Sequence, residues 1–183
     1  FVGYDRIAIE DNRLFKQDSR TQIDLNSIAK GYTVDVVGEE LEALGIVDYI
    51  VNIGGEVRCR GRNAEGKLWA IGIETPYDGN MAMDSIEKII TVDNGALATS
   101  GNYRRFYYNA EGERISHTLN PLTGHSHTTT LLSATVVAPR CATADALATA
   151  FMASDEEDAI ALAERLRDSV QVYFVLAPER GKE

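Results

Sequence analysis

The order of strand-like and helix-like patterns constrains the fold of this chain more than any other feature. Short strand patterns fill its middle, whereas helical spacing appears about one third of the way along the chain and again near its end. Strict alternation of strands and helices, which would produce a parallel sheet, is therefore excluded. The order predicts an α+β fold with a mostly antiparallel sheet core and a few packed helices.

The first part of the chain predicts a hairpin and a helix. Residues 2 to 18 are typical of a β-hairpin that turns at Asp11-Asn12. A short strand is expected at Gln22 to Leu25, followed by a helix that ends at Gly45 in a left-handed cap. This helix is predicted from apolar side chains that recur at helical spacing: Ile28, Tyr32, Val36, Val37, Leu41 and Leu44.

The remaining predicted elements are short. A loop is expected at Thr75 to Asp84, and two helices near Ala142 to Ala153 and Asp155 to Arg167. No internal repeat or change in composition marks a boundary, so residues 1–183 are interpreted as a single domain. The predicted strands are Tyr49 to Ile53, Val57 to Arg62, Leu68 to Glu74, Glu87 to Val92, Ala96 to Thr99, Arg104 to Asn109, Arg114 to Leu119, Ser133 to Val137 and Val170 to Leu176.

Composition excludes several classes of function. Apolar residues make up 44% of the chain and charged residues 25%, as in an ordinary globular domain. The 18 basic and 28 acidic side chains give a formal net charge of −10. Such a surface repels phosphate backbones and anionic lipids, so we expect no nucleic-acid partner and no direct membrane binding. Two cysteines, Cys59 and Cys141, are too few for a disulfide framework or a zinc site.

The strand-to-helix junction from Asp24 to Tyr32 is the first candidate site. The amino end of a helix presents free N–H groups and the positive end of the helix dipole, so it attracts anions. The same dipole disfavours Lys30 in the first turn unless an anion lies close by. The alternative is that Asn26 or Ser27 caps the helix and that Lys30 points into water.

Two further segments combine turn residues with polar side chains. Gly54-Gly55 follows a predicted strand, where it would let a ligand approach the backbone but would serve equally well as a plain turn. His117 lies in another predicted strand, just before the turn sequence Asn120-Pro121. A neutral imidazole suits a general base near pH 7, although a histidine in a strand is commonly a structural hydrogen-bonding residue.

The helix near Ala142 to Ala153 provides the fourth candidate site. Asp145 and Thr149 are four residues apart, which places them on one helix face. A carboxylate and a hydroxyl are hard oxygen donors of the kind that Mg²⁺ or Ca²⁺ accepts. Other protein oxygens, water or a substrate phosphate would have to complete the coordination. The alternative is that Asp145 complements the helix dipole and Thr149 fills the core.

Taken together and in order, five segments resemble the ApbE family of flavin transferases. They are IDLNSIAKGYTVD, VNIGGEVRCRG, ATSGNYRRFYY, HTLNPLTG and SATVVAPRCATADALATA, which extend from about Ile23 to Phe151. The resemblance implies an ApbE or T-fold-like α+β fold. It also implies an FAD:protein FMN transferase, an enzyme that cleaves FAD and attaches FMN through a phosphoester to Thr or Ser of an acceptor protein.

The resemblance assigns roles to seven residues of this chain. His117 matches the histidine proposed to deprotonate the acceptor hydroxyl. The ligands at the other six positions would be FAD as the substrate and Mg²⁺ as the cofactor, with Ser27 expected to offer its backbone carbonyl oxygen. The matched positions are Asp24, Lys30 and Leu119 for FAD, and Ser27, Asp145 and Thr149 for the metal.

The chain departs from the family pattern at three positions. Asn120 stands where the family usually has Asp, and Glu56 stands where Asp is frequent. Ala148 occupies a position that is acidic in some members, so one potential metal ligand is absent. The resemblance leaves two alternative functions open: a Mg²⁺-dependent FAD pyrophosphatase that gives FMN and AMP, and a flavin-binding module without catalysis.

The resemblance also implies partners and a compartment. The acceptor signature of this family contains Ser/Thr-Gly-Ala-Ser/Thr, whereas the only Gly-Ala pair here, Gly95-Ala96, lies between Asn94 and Leu97. We therefore expect an acceptor protein in trans and no modification of the chain itself. Family members are commonly exported, periplasmic or membrane-anchored in bacteria, so any membrane contact is expected through a lipid anchor not present in this chain.

The beginning of the chain is typical of a processed form or a fragment. It opens with Phe1-Val2-Gly3, without an initiator Met or the charged and apolar regions of a signal. About 20 residues precede the first matching segment, where known members carry a long segment that supplies part of the flavin pocket. We therefore interpret the chain as the C-terminal portion of a flavin transferase that lacks the N-terminal part of the FAD pocket.

Overall fold

The computed structural model describes residues 3–75, 86–102, 106–108, 114–116, 118–121, 124–126 and 130–177. Its strands and helices follow one another in the predicted order, which confirms the α+β class. Of the loop expected at Thr75 to Asp84, only Thr75 belongs to the described ranges. The helices are α1 (Ala29–Ala43), α2 (Cys141–Met152) and α3 (Glu156–Leu166). The strands are β1 (Ile7–Glu10), β2 (Arg13–Lys16), β3 (Tyr49–Ile53), β4 (Glu56–Arg60), β5 (Trp69–Glu74), β6 (Ile86–Val92), β7 (Gly95–Gly101), β8 (Phe106–Tyr108), β9 (Arg114–Ser116), β10 (Leu131–Ala138) and β11 (Gln171–Leu176).

An antiparallel sheet of five strands, in the order β11-β10-β7-β4-β3, forms the centre of the fold. Its strands follow one another in chain order, and the hairpins β5–β6 and β8–β9 lie in the connections between β4, β7 and β10. Its register places Ser100 of β7 opposite Ala134 of β10. The other strands pair as the separate hairpins β1–β2, β5–β6 and β8–β9. The sheet therefore brings parts of the chain that are distant in sequence to the same side of α2.

The main core lies between this sheet and the two C-terminal helices. α2 contacts β7 and β10, and its fully buried residues Ala144 and Ala148 allow close contact with the strands. Phe151 packs edge-on against Phe174 of β11, with the ring centroids 5.3 Å apart. Burying a side chain of this size stabilises the fold by roughly 1.5–3 kcal/mol. No helix among the described residues combines the length and apolar character needed to cross a lipid bilayer.

The buried face of α1 differs from the predicted apolar face. Four of the six apolar residues that predicted the helix are exposed: Tyr32, Val36, Val37 and Leu44. The buried residues are instead Gly31, Val34, Asp35 and Gly38. The reason is that α1 packs against α2, where a β-carbon on Gly31 would lie 2.5 Å from the Cys141 carbonyl oxygen. So close a contact requires glycine, and the apolar spacing does not predict it.

Two local turn predictions are confirmed and one strand prediction is wrong. Asp11 and Asn12 form the first hairpin turn with φ values of 47° and 60°, and Gly45 ends α1 with φ of 81°. The strand expected at Gln22 to Leu25 does not form. Asp24 accepts a hydrogen bond from the backbone N–H of Asn26 at 2.7 Å instead, so this segment turns into α1.

Candidate active site

A cavity of about 810 Å³ lies at the amino end of α1. Its walls come from the start of α1, the β3–β4 turn, β5, the last residues of β7 and one face of α2. Three predicted site residues line it: Lys30, Asp145 and Thr149. The fold therefore brings the first and the fourth candidate segments of the sequence together.

The Gly54-Gly55 pair forms a turn and also leaves its backbone open to a ligand, the two possibilities that the sequence left open. Gly54 and Gly55 form the turn between β3 and β4 with φ values of 64° and 102°, a conformation that favours glycine. The Gly55 N–H donates to Asn52 Oδ1 at 3.1 Å, which closes the turn. Both glycines also line the cavity, so the same turn leaves the backbone accessible to a ligand.

Asp145 reaches from α2 to the first turn of α1. Its Oδ2 accepts a hydrogen bond from the backbone N–H of Gly31 at 2.9 Å. The residue that precedes α1 is Ile28, which provides no side-chain cap, so the expected cap by Asn26 or Ser27 is absent here. Asp145 satisfies one of the free N–H groups of this helix end in their place. Although only 3% exposed, Asp145 also lines the cavity.

Asp35 makes the converse connection from α1 to α2. Its carboxylate oxygens accept hydrogen bonds from the backbone N–H groups of Cys141 at 2.9 Å and Ala142 at 3.0 Å. Arg58 Nη1 donates to Asp35 Oδ1 at 3.1 Å and compensates this fully buried charge. Each helix therefore supplies a carboxylate to the amino end of the other. These reciprocal bonds fix Asp145 relative to Lys30.

Lys30 is paired with a carboxylate that the sequence-based site residues did not include. Its Nζ lies 2.6 Å from Oε1 of Glu56, which is only 2% exposed. Glu56 Oε2 is buried and has no hydrogen-bond partner within the described ranges. Burial raises the pKa of Glu56. The hydrogen bond and the charge of Lys30 lower this pKa, and the negative charge of Asp145 raises it. The anion that the helix dipole requires beside Lys30 is thus supplied by the protein.

Hydroxyl groups form another part of the cavity wall. Thr149 Oγ1 lies 3.3 Å from Oγ of Ser100, and both residues line the cavity. Thr118 is a further lining residue, and its hydroxyl donates to Asn102 Oδ1 at 3.0 Å. Ser100 was not predicted as a site residue, although the segment ATSGNYRRFYY contains it. Its pairing with Thr149 depends on the packing of α2 against β7, which that segment does not reveal.

The donor atoms here fit a hard divalent cation. Asp145, Thr149 and Ser100 all present oxygens, which Mg²⁺ prefers as ligands. Burial raises the pKa of Asp145, against the Gly31 hydrogen bond and the charge of Lys30. One ammonium, from Lys30, faces three carboxylates, from Glu56, Asp145 and the lining residue Glu74, which leaves an excess of negative charge. The described residues contain no cluster of three His, Cys, Asp or Glu side chains, so hydroxyl, backbone or ligand oxygens would complete the coordination.

The other predicted site residues lie apart from the cavity lining or outside the described ranges. Asp24 is exposed and accepts hydrogen bonds from Asn26, and Ser27 is half-buried two residues before α1. Leu119 is 56% exposed and bridges to Ser126, next to the lining residue Thr118. The structure does not describe the predicted base, His117. The roles of all seven predicted site residues stay predictions.

The sequence is similar to that of FAD:protein FMN transferases. The profile of the ApbE family matches residues 1–174. The FAD:protein FMN transferase of Haemophilus influenzae is 38% identical over 185 residues, covering 99% of this chain and 52% of that protein. The Vibrio cholerae protein of the same name is 42% identical over 180 residues, covering 98% of this chain and 52% of that protein. The chain therefore spans about half the length of these curated relatives.

Solved structures show the same architecture. The apo form of the flavinyl transferase ApbE from Pseudomonas stutzeri superposes with a TM-score of 0.83 at 37% identity, covering 98% of this chain and 53% of that one. The flavin transferase ApbE from Vibrio cholerae gives a TM-score of 0.82 at 39% identity, covering 95% and 53%. Both solved structures resemble this chain in sequence as well as in fold. Their fold confirms the predicted α+β architecture.

Proposed function

The chain belongs to the ApbE family, and from this premise we propose that it is part of an FAD:protein FMN transferase. The reaction is the Mg²⁺-dependent transfer of FMN from FAD to a Ser or Thr hydroxyl of an acceptor protein, with release of AMP. One observation carries the proposal for this chain: Asp145 and Thr149 line the same cavity as Lys30, and the Asp145 carboxylate is bonded to the first turn of α1.

The residues at the amino end of α1 would bind the pyrophosphate of FAD. Lys30 would donate hydrogen bonds to phosphate oxygens, and the positive end of the helix dipole favours an anion at the same place. Asp145 and Thr149 would hold Mg²⁺, together with the backbone carbonyl of Ser27. When bound there, Mg²⁺ would polarise the pyrophosphate and stabilise the charge that develops on AMP.

We assign the role of general base to His117. The imidazole takes the proton of the acceptor hydroxyl, and the hydroxyl oxygen forms a bond to the phosphorus of the FMN half of FAD. The bond from that phosphorus to the bridging oxygen breaks, and the oxygen leaves with AMP. The position of the neighbouring residue Thr118 on the cavity wall supports this assignment. Positioning and electrostatics provide most of the catalysis in phosphoryl transfers of this kind.

The acceptor hydroxyl comes from another protein. The Gly95-Ala96 pair of this chain lies in β7, and Ala96 is 1% exposed within the central sheet. This pair lacks the flanking hydroxyl residues of the acceptor signature and is not accessible for transfer. We therefore expect the flavin to be attached to a separate protein that carries Ser/Thr-Gly-Ala-Ser/Thr.

Mass spectrometry tests the proposed reaction directly. The full-length protein that contains this chain is incubated with FAD, Mg²⁺ and an acceptor protein that carries the signature, and all proteins are weighed. We expect the acceptor to gain one FMN moiety and the chain itself to gain none. Release of FMN and AMP at the same rate without acceptor would identify a pyrophosphatase instead. Binding of FAD without either product would identify a flavin-binding module without catalysis.

A matched pair of histidine variants tests the base. We expect His117→Asn to slow transfer by roughly 10²–10⁴-fold, which is the usual contribution of a general base. His125→Asn removes an exposed imidazole elsewhere in the same region and should leave the rate unchanged. Equal rates for the two variants would contradict the role of His117.

A further inference from the structure

Lys30 and Glu56 form an ion pair of which only one partner faces the cavity. Among the described residues that line the cavity, Lys30 is the only cationic one. Its side chain is 52% exposed, whereas that of Glu56 is 3% exposed and lies behind the lining residues. A β-carbon on Gly54 would lie 3.6 Å from both Glu56 Oε2 and Lys30 Cδ, so the pair sits directly under the β3–β4 turn. The ion pair with Glu56 therefore fixes the position of the Lys30 ammonium.

The pair also removes the positive charge that Lys30 would otherwise bring to the cavity. At a separation of 2.6 Å the carboxylate and the ammonium largely cancel each other for any group further away. Asp145 then adds a negative charge to the same wall, and within the described ranges its carboxylate has the Gly31 N–H as a donor but no ion-pair partner. An incoming phosphate therefore meets a wall with an excess of negative charge.

From this arrangement we infer that Glu56 couples the two ligands of the cavity: it makes binding of the anionic dinucleotide depend on the divalent cation. A cation at Asp145 reverses the sign of the local charge, and only then does the wall attract a pyrophosphate. Binding of the two ligands is consequently coupled, and the coupling acts equally in both directions. The inference rests on the proposed function, because it takes FAD as the dinucleotide and Mg²⁺ as the cation.

Calorimetric titration with FAD, in the presence and absence of Mg²⁺, measures the coupling. In the full-length wild-type protein we expect Mg²⁺ to raise the affinity for FAD roughly tenfold or more, within the usual range for coupled sites. Glu56→Gln leaves the Lys30 charge uncancelled, so without Mg²⁺ this variant should bind FAD more tightly than the wild type does. Addition of Mg²⁺ should then raise its FAD affinity by a factor at least about threefold smaller than in the wild type. Glu40→Gln removes the same charge from the exposed side of α1 and should behave as the wild type. Equal Mg²⁺ dependence in Glu56→Gln and Glu40→Gln would overturn the inference.

A second variant covers the case in which Glu56→Gln fails to fold. Lys30→Gln replaces an exposed side chain and leaves Glu56 and Asp145 without a compensating ammonium. We expect this variant to bind FAD more weakly than the wild type without Mg²⁺ and to gain more from its addition. A gain equal to that of the wild type would count against the inference.

A measurement without ligands separates this inference from the proposed function. Acetic anhydride modifies exposed lysines, and mass spectrometry gives the rate at each one. The ion pair shields the Lys30 amine, so we expect Glu56→Gln to accelerate its acetylation several-fold relative to Lys67, which is exposed in the β4–β5 connection. If FAD does not bind the full-length wild-type protein even with Mg²⁺, the proposed function fails and this rate decides the inference. Unchanged acetylation of Lys30 would then overturn it.

Discussion

The Asp145 carboxylate accepts a hydrogen bond from the Gly31 N–H across 114 positions of sequence. This single contact serves the fold, because it satisfies a free N–H at the amino end of α1. It uses only Oδ2, and Oδ1 has no hydrogen-bond partner within the described ranges. The structural and metal-binding interpretations of Asp145 are therefore compatible, since each requires a different oxygen.

Asp145→Asn separates these two roles. The amide oxygen can still accept from Gly31, so we expect the free energy of unfolding to change by about 1 kcal/mol or less. The affinity for Mn²⁺, measured by electron paramagnetic resonance, should fall by at least the roughly 10–100-fold that loss of an outer-shell partner costs. Loss of stability with unchanged Mn²⁺ affinity would show that Asp145 acts only as a helix cap.

Two variants of Thr149 separate the role of its hydroxyl from that of its methyl group. Thr149→Val keeps the shape of the side chain but removes the hydroxyl, whereas Thr149→Ser keeps the oxygen. We expect the first variant to bind Mn²⁺ about tenfold or more weakly and the second to bind it nearly as the wild type does. If Thr149→Val keeps the affinity and Thr149→Ser loses it, the methyl group rather than the oxygen matters, and Thr149 is a packing residue.

The contact between α1 and α2 should not tolerate a β-carbon at position 31. In Gly31→Ala that carbon would lie 2.5 Å from the Cys141 carbonyl oxygen and 2.8 Å from Asp145 Cβ, both of which are rigidly held. Overpacking of this kind costs about 1–3 kcal/mol, which thermal unfolding measures. Gly72→Ala is the control, because its β-carbon would meet only the end of the exposed Ile86 side chain, at 3.2 Å, and that side chain can move. Equal destabilisation by both substitutions would contradict this explanation.

Asp35→Asn should destabilise the chain far more than loss of a neighbouring surface carboxylate. The variant leaves Arg58, whose side chain is 15% exposed, without its buried partner, a change that costs about 3 kcal/mol or more. Glu39 lies 3.8 Å from the same guanidinium but is half-exposed, so Glu39→Gln should cost less than about 1 kcal/mol. Denaturant unfolding of both variants checks this difference, and similar costs would mean that Asp35 does not anchor α2.

Glu42 should make stability depend on pH. The Tyr49 hydroxyl donates to Glu42 Oε1 at 2.5 Å, and this bond, with further help from Arg58, lowers the pKa of Glu42 below the ordinary value of 4.5. The stabilisation is therefore complete above pH 4.5 and is lost as the pH falls through the lowered pKa.

The variant Glu42→Gln isolates this contribution. Because the Glu42 side chain is 28% exposed, we expect the variant to be less stable by only about 1 kcal/mol at neutral pH. The difference from the wild type should shrink when denaturant unfolding is repeated in acid. A difference that stays constant with pH would show that it comes from packing rather than charge.

Local sequence patterns predicted the structural features that depend only on residues close together in the sequence. Turn chemistry at Asp11-Asn12 and Gly45 was sufficient, because the required φ values are properties of those residues. The buried face of α1 could not be predicted, since its partner is a helix more than a hundred positions away that comes close enough to require Gly31. The Lys30–Glu56 pair was missed for the same reason: 26 positions separate two residues that only the packing of α1 against β4 brings together. The resemblance supplied Asp145 and Thr149, and the structure added their relation to α1.

The exchange of carboxylates between α1 and α2 affects how the chain can be synthesised. Asp35 leaves the ribosome 106 residues before Cys141, so α1 initially has neither the Asp145 cap nor the α2 N–H groups that bind its buried acid. Strand β7 likewise waits for β10, and contacts this distant in sequence form slowly. A nascent chain therefore has no complete cavity until translation has passed α2, and only after that point can any ligand of the cavity be captured.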